Sequence, residues 1–193
     1  MASMGTRERI IDAAEQSIHE HGIAGATTKR IAQRAGCSEA LLYKHFSSKE
    51  TLFLAVLLER MPALAPALAL LRDRAGQGDV AADLTAFAVT AVDFYTSVAP
   101  VASGMMADPS LMAGFRAMLA ERRSGPHLPV LALAELLRDE QRAGRIDAGL
   151  DAVAAASMLL GACFHRASMS SFVDLPGETG EWAETLVATL LRR

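Results

Sequence analysis

Apolar residues recur at intervals of three and four positions along most of this chain, which is the spacing of one face of an α-helix. No stretch shows the strict apolar and polar alternation of a half-buried strand. The sequence therefore predicts an all-α fold. The predicted helices cover residues 6–21, from 28 to about 35, 38–46, 49–61, 79–98, 109–122, 128–143, 148–172 and 178–192.

Glycines and prolines separate these helices. Proline lacks the N–H that a helix interior needs, and glycine accepts the left-handed backbone at a helix end without a Cβ penalty. Hydroxyl side chains at the helix starts act as N-caps, and this pattern assigns Thr28, Ser38 and Ser48 to that role. The predicted breaks are Gly22, Gly36, Pro62 with Pro66, Gly76 with Gly78, Pro100, Gly104 with Asp108-Pro109, Gly125-Pro126, Gly144 and Pro176-Gly177.

Composition supports a helical core and an intracellular location. Half of the 193 residues are apolar but only 5% are aromatic, so Ala, Leu, Val and Met must fill the core. The polar start, Met1 to Arg9, predicts no signal peptide, and the apolar run 152–164 is shorter than the roughly 20 residues that cross a bilayer. Cys37 and Cys163 lie far apart along the chain, as expected for reduced thiols. We therefore expect a cytoplasmic protein with no membrane partner.

Positive charge is concentrated in one short region. The chain has a net charge of −3, yet residues 27–49 contain five cations and one anion, including all three lysines of the sequence. Affinity for phosphates would be confined to this region. On charge alone, a solvated basic face without a partner remains an alternative.

The same region has the pattern of a helix-turn-helix. Ala32 and Ala35 supply small residues where two helices cross, and Gly36 supplies the tight turn. Leu42 and Phe46 are one turn apart and would anchor the second helix to the core. Its remaining side chains would face outward and could enter a major groove. These outward residues are Glu39, Ala40, Leu41, Tyr43, Lys44 and His45.

From about Thr6 to Leu58 the chain resembles the TetR family of bacterial transcriptional regulators. Beyond about residue 60 the likeness is architectural only. The resemblance implies a three-helix DNA-binding domain at residues 1–50, which includes the start of a linker helix, and a helical ligand-binding and dimerisation domain at 51–193. The matching positions are Thr27-Thr28, Ile31-Ala32, Ala35-Gly36, Ser38, Leu42-Tyr43, His45-Phe46, Ser48-Lys49-Glu50 and Leu52.

The resemblance also implies roles for individual side chains. Thr28 and Tyr43 would hydrogen-bond phosphates, and Lys49 at a helix N-terminus would pair with another phosphate. Lys29 would lie near the backbone or a base edge. The residues that would face the bases are Glu39, Ala40, Leu41 and Lys44, with His45 at the groove edge.

Several of these roles have alternatives. Leu41 departs from the small polar residue expected there and could pack on a thymine methyl group. Glu39 could accept a hydrogen bond from cytosine N4 or merely repel phosphates. Tyr43 could cover the core of its own helix, and His45 could be an ordinary surface histidine.

The C-terminal helices suggest a homodimer that reads a palindromic operator in double-stranded DNA. The helix from Leu150 to Phe172 is apolar on nearly all sides, so both its own domain and a partner must cover it, unless one subunit buries it completely. Its small residues are Ala154, Ala155, Ala156, Ser157, Gly161 and Ala162. The last helix adds Trp182, Leu186, Val187, Leu190 and Leu191.

Methionines in the middle of the chain suggest a site for a small apolar effector, because flexible thioethers adapt to varied apolar shapes. An ordinary core is the alternative. The candidate ligand residues are Phe94, Tyr95, Met105, Met106, Met112, Phe115 and Met118, with His127 and His165 as polar orienting groups.

We find no pattern typical of catalysis, of a metal site or of a bound cofactor. His19 and His21 point to opposite sides of their helix, and neither cysteine has zinc-site spacing. We therefore expect no enzyme activity but a sequence-specific transcriptional regulator, most simply a repressor that a small, mostly apolar effector releases from its operator. One alternative is a dimeric all-α small-molecule-binding protein or enzyme without DNA binding. Another is a DNA-binding regulator that senses no ligand.

Overall fold

A computed structural model describes residues 5–59 and 64–192, and all regular structure in these ranges is helical. The prediction of an all-α fold is confirmed. The helices are α1 (Thr6–Gly25), α2 (Thr28–Arg34), α3 (Glu39–His45), α4 (Lys49–Glu59), α5 (Leu64–Asp73), α6 (Val80–Ala107), α7 (Pro109–Glu121), α8 (Leu128–Arg142), α9 (Ala152–Met169) and α10 (Thr179–Leu190).

The described residues form two compact units. The head unit comprises the described residues of Met1–Pro62 together with Ser97–Ser124. The body unit comprises those of Ala63–Thr96 together with Gly125–Arg193. Helix α6 therefore contributes its first part to the body unit and its second part to the head unit. The predicted functional border near residue 50 stays a prediction.

The head unit has its own apolar core, built on the predicted inward face of α1. Ile10, Ile11 and Ala14 are completely buried and Ile18 is nearly so, because they recur at helical spacing and share one side of α1. Residues from the distant part of the chain complete this core. They are Val101 and Met105 of α6 and Leu111 of α7.

Helix α1 extends further than predicted. Gly22 has a left-handed backbone with φ of 65°, as expected for a helix end, but a further helical stretch follows it up to Gly25. The chain resumes the helix because Ile23 is drawn into the head core, where it is 3% exposed.

Helix α6 runs through two predicted breaks, so the predictions at Pro100 and Gly104 were wrong. A proline inside a helix removes one backbone hydrogen bond, and here the burial of Val101 and Met105 in the head core outweighs that loss. Gly104 has a packing role instead. A Cβ at this position would lie 2.6 Å from the Cβ of Ile23, so only glycine permits so close an approach.

Other predicted boundaries moved by a few residues. Helix α5 was not predicted, and Pro66, given as a break, lies in its first turn, where the missing N–H costs no helical bond. Met61 and Pro62 lie outside the described residues. Helix α9 starts at Ala152 rather than 148, because the Asp151 carboxylate accepts hydrogen bonds from the N–H groups of Val153 and Ala154 and caps the helix there. It ends at Met169 rather than 172.

The body unit packs α8 and α9 around a second apolar core. Leu133, Leu159 and Ala156 are fully buried there. Cys163 is buried as well, donates a hydrogen bond from its Sγ to the carbonyl of Ala88, and has a pKa that burial raises to about 12. This thiol is therefore an inert packing group.

By length and composition alone, α6 and α9 are each apolar enough to span a membrane. For α9 this differs from the expectation, because the helix is 18 residues long and continues past the apolar run at 152–164. Both helices bury part of their surface in the cores described above.

Candidate nucleic-acid interface

Two buried side chains fix the orientation of α3. Leu42 is 0% exposed and Phe46 is 2% exposed, as predicted for the anchors of this helix. Gly36 forms the turn before α3 with φ of 66°, which glycine adopts without strain. The Ser38 hydroxyl accepts a hydrogen bond from the N–H of Leu41 and caps α3, as predicted. The side of α3 opposite Leu42 must then face away from the core.

That outward side carries most of the predicted base-facing residues. Tyr43 is 48% exposed, and Leu41 is the half-buried exception. A half-buried leucine retains an apolar edge on this surface but has no hydrogen-bonding group to read a base. The other exposed residues of α3 are Glu39, Ala40, Lys44 and His45.

Three side chains of this surface form a hydrogen-bonded chain. The Thr28 hydroxyl donates to the Glu39 carboxylate over 2.8 Å, and the Tyr43 hydroxyl donates to the Thr28 oxygen over a longer 3.5 Å. Thr28 is free for this role because the prediction that it caps α2 was wrong. Thr27 adopts the extended backbone of a cap, and its hydroxyl accepts from the N–H of Arg30.

The predicted phosphate-binding Lys49 is half-buried and engaged within the head unit. Its ammonium group donates to the carbonyl of Ile23 over 3.3 Å and lies 5.0 Å from the centre of the Phe53 ring. The preceding Ser48 caps α4 as predicted, since its hydroxyl accepts from the N–H of Thr51. Lys49 therefore holds the start of α4 against the last turn of α1, and its phosphate contact stays a prediction.

The cations of residues 27–49 divide into two groups. Arg30 donates to the carbonyl of Gly25, and Arg34 forms an ion pair with Glu20 whose hydrogen bond lowers the pKa of that carboxyl group. Within the described ranges no such partner is recorded for Lys29 or Lys44, and both are exposed. These two lysines are the cations that a phosphate or base could contact at little cost.

Three of the predicted ligand residues line a groove in the head unit. Met105, Phe115 and Met118 contribute to its apolar wall, and its volume is about 580 Å³. Volumes of roughly 300–1,000 Å³ are typical of small-molecule sites. The other lining residues are Ser48, Glu50, Thr51, Phe53, Leu54, Ser110, Leu111, Gly114, Glu121 and Arg122.

The remaining predicted ligand residues do not line this groove. Met112 is half-buried beside the head core, and Met106 is 63% exposed.

The other four of these residues belong to the body unit. The Tyr95 ring contacts those of Phe94 and Phe164 edge to face, at 5.1 and 5.4 Å between centres, and burial raises the pKa of Tyr95. His127 and His165 are exposed.

Sequence reasoning did not identify two features of these surfaces. The contact of Thr28 with Glu39 joins residues eleven positions apart, and nothing in their spacing predicts it. The groove had a detectable pattern, because Leu111, Gly114, Met118 and Glu121 follow one another at helical spacing along one side of α7.

A short helix anchored by two apolar residues, preceded by a glycine turn and a capped helix, defines a helix-turn-helix protein. The family model described as "Bacterial regulatory proteins, tetR family" matches residues 10–56. This segment contains α2, α3 and the Gly36 turn. This N-terminal segment is that of a TetR family protein.

Individual relatives agree with this assignment. The chain is 38% identical over 63 residues to the HTH-type transcriptional repressor AcnR of Corynebacterium diphtheriae, which is 33% of each chain. It is 29% identical over 143 residues to the HTH-type transcriptional repressor Rv1474c of Mycobacterium tuberculosis, covering 72% of this chain and 68% of the relative. The match thus spans about a third of the corynebacterial relative.

The likeness in fold extends over the whole chain. The solved structure of Salmonella enterica GusR covers 100% of this chain and 98% of its own, with a TM-score of 0.72 and 25% identity. The helices outside the matched N-terminal segment therefore follow the same architecture.

Two exposed residues of α3 have different predicted roles, so their substitutions should have different effects. Lys44→Ala removes a group that is predicted to face the bases and should change which sequences are preferred, costing about 1–3 kcal/mol on the preferred site. Tyr43→Phe removes one hydroxyl that is predicted to contact a phosphate and should weaken all sequences by a similar factor. Binding titrations on one selected duplex and one scrambled duplex measure both effects. An equal loss on both duplexes for Lys44→Ala would contradict the base-reading assignment.

Proposed function

We propose that this protein is a transcriptional regulator that binds operator DNA through α3 and acts as a repressor. The observation that carries the proposal is the outward face of α3, which Leu42 and Phe46 hold exposed with Tyr43 and Lys44 upon it. The match to a family of bacterial regulatory proteins and the repressors among its relatives support this function over an enzymatic one. Functionally, we place the DNA-binding domain at residues 1–50 and the ligand-binding and dimerisation domain at 51–193.

We propose that two copies associate through α9 and α10 to read a palindromic operator. A single recognition helix contacts only a few base pairs, so specific binding needs two helices at a fixed spacing. On α9, Met158 is 59% and Phe164 is 46% exposed, and they share one side of the helix with Ser157 and Gly161. A Cβ added at Gly161 would meet nothing within 4 Å. This apolar and open face suits close packing of a second copy.

We propose that the groove of the head unit is where a small, mostly apolar effector binds. Its walls combine two methionines and aromatic rings with the hydroxyls of Ser48, Thr51 and Ser110, and its charged residues are Glu50, Glu121 and Arg122. A bound ligand would therefore meet both apolar and polar groups. The groove is lined by α4, whose N-terminal residue Lys49 follows the recognition helix. A ligand that prefers another position of α4 would shift DNA affinity by its difference in affinity for the two states.

This function implies a cytoplasmic protein without a membrane partner. The apolar length of α6 and α9 then reflects burial in the two cores and, for α9, coverage by the second copy.

Selection of bound sequences from random DNA, followed by footprinting, tests the DNA-binding function. We expect a two-fold symmetric site. If each copy contacts about four phosphates, the slope of log K against log salt concentration is about −7. A slope near zero, or no duplex bound in dilute buffer, would exclude the proposed function.

The dimer proposal predicts that Gly161→Arg leaves each protomer folded but separates the copies, because the new side chain extends from an open face and carries charge onto an apolar interface. Ala86→Arg is the matched control, since Ala86 is an exposed small residue of α6 in the same unit. Sedimentation should show a monomer for the first variant and a dimer for the wild type and the control. A dimeric Gly161→Arg protein would argue against this interface.

The effector proposal predicts that compounds which raise the melting temperature act through the groove. Uncharged alkyl and aryl compounds serve as probes in a thermal-shift screen. Gly114→Leu fills the groove beside Glu50, and Met118→Ala removes part of its wall, so both should reduce the shift. Met106→Ala is the control, because this exposed methionine does not line the groove. A shift that survives both groove variants would place the ligand elsewhere.

A further inference from the structure

The Thr28 hydroxyl has one proton to donate, and in this structure it donates it to Glu39. A phosphate oxygen can only accept hydrogen bonds. Thr28 therefore cannot donate to a phosphate while it donates to Glu39. The Tyr43 hydroxyl is directed to the Thr28 oxygen by the same arrangement, although over a longer distance.

The Glu39 contact is not needed to build the helix-turn-helix. Ser38 already caps α3, and Thr27 caps α2. Burial of Leu42 and Phe46 already holds α3 on the core. Glu39 is exposed, so its side chain is free to turn toward another partner. This contact is an optional one between a negative charge and a predicted phosphate-binding group.

We propose that Glu39 is a specificity-determining residue that releases Thr28 to bind phosphate only when a base offers the carboxylate another donor. This inference rests on the proposed DNA binding. The base amino group that suits a carboxylate in the major groove is N4 of cytosine. On such a site Glu39 turns to the base and Thr28 donates to the backbone. Without this donor, Glu39 keeps Thr28 occupied and repels the nearby phosphates.

The proposal makes one residue act on two kinds of contact. Phosphate contacts normally carry no sequence information, because every sequence has the same backbone. Here the Thr28 contact depends on the base that Glu39 meets. Glu39 therefore increases the preference for the operator by weakening the affinity for other sequences. Any gain in affinity for the operator itself adds to this effect.

A double-mutant cycle on random-sequence duplex tests this mechanism. Glu39→Ala should raise affinity for that duplex by about tenfold, the effect of one hydrogen bond to a charged group. In a Thr28→Val background there is no hydroxyl to release, so the same change should give a clearly smaller gain. Sequence selection with Glu39→Ala should also lose the requirement for cytosine at one position, lowering the preference for the operator by about tenfold.

Glu15→Gln is the matched control for loss of one negative charge, because Glu15 belongs to the head unit but lies on α1 and does not line the groove. We expect it to change random-sequence affinity much less than Glu39→Ala. Equal gains for Glu39→Ala with and without the Thr28 hydroxyl would show simple charge repulsion and overturn the proposal, as would an unchanged base preference. A titration of the wild-type protein tests the proposed function by itself. If the wild type bound no duplex, the DNA-binding function would be excluded, whatever the Glu39 variants do.

Discussion

Burial of Leu42 and Phe46 in the head core is the constraint on which the candidate interface depends. Each such side chain contributes about 1.5–3 kcal/mol when it is removed from water. Because the two lie one turn apart, they fix the rotation of α3 about its axis as well as its position. The exposure of Tyr43 and Lys44 is a direct consequence of that rotation. A recognition surface built in this way is preorganised, because none of its polar residues is needed to hold the helix in place.

The polar residues around α3 therefore need not hold this helix in place. Some of them form contacts between other helices of the head unit, and others stay exposed. Arg34 and Lys49 are engaged within the head unit, by Glu20 and by the carbonyl of Ile23. Lys29 and Lys44 remain exposed. The number of cations in residues 27–49 is thus larger than the number of cations available to contact DNA. The fold uses some of these cations to join α1, α2 and α4, which leaves a smaller and better defined cationic surface.

The head unit also contains residues far apart in the sequence. The end of α6 and all of α7 belong to it, and Gly104 allows α6 to approach Ile23 closely. The groove that we propose for an effector lies in this same unit and is lined by α4 and α7. Ligand binding and DNA binding would then be coupled within the head unit, because α4 lines the groove and directly follows the recognition helix.

The sequence by itself determined the helical class, the helix-turn-helix, the anchors of α3 and most helix ends, because these depend on local periodicity and capping. It placed the cap of α2 one residue late, at Thr28 instead of Thr27, and it broke α6 at Pro100, where burial of Val101 and Met105 outweighs local preference. Only the tertiary structure decided that Glu39 accepts from Thr28 and that Met118 lines a groove while Met106 faces solvent. Such contacts join residues that approach only after the helices have packed, so no local pattern records them.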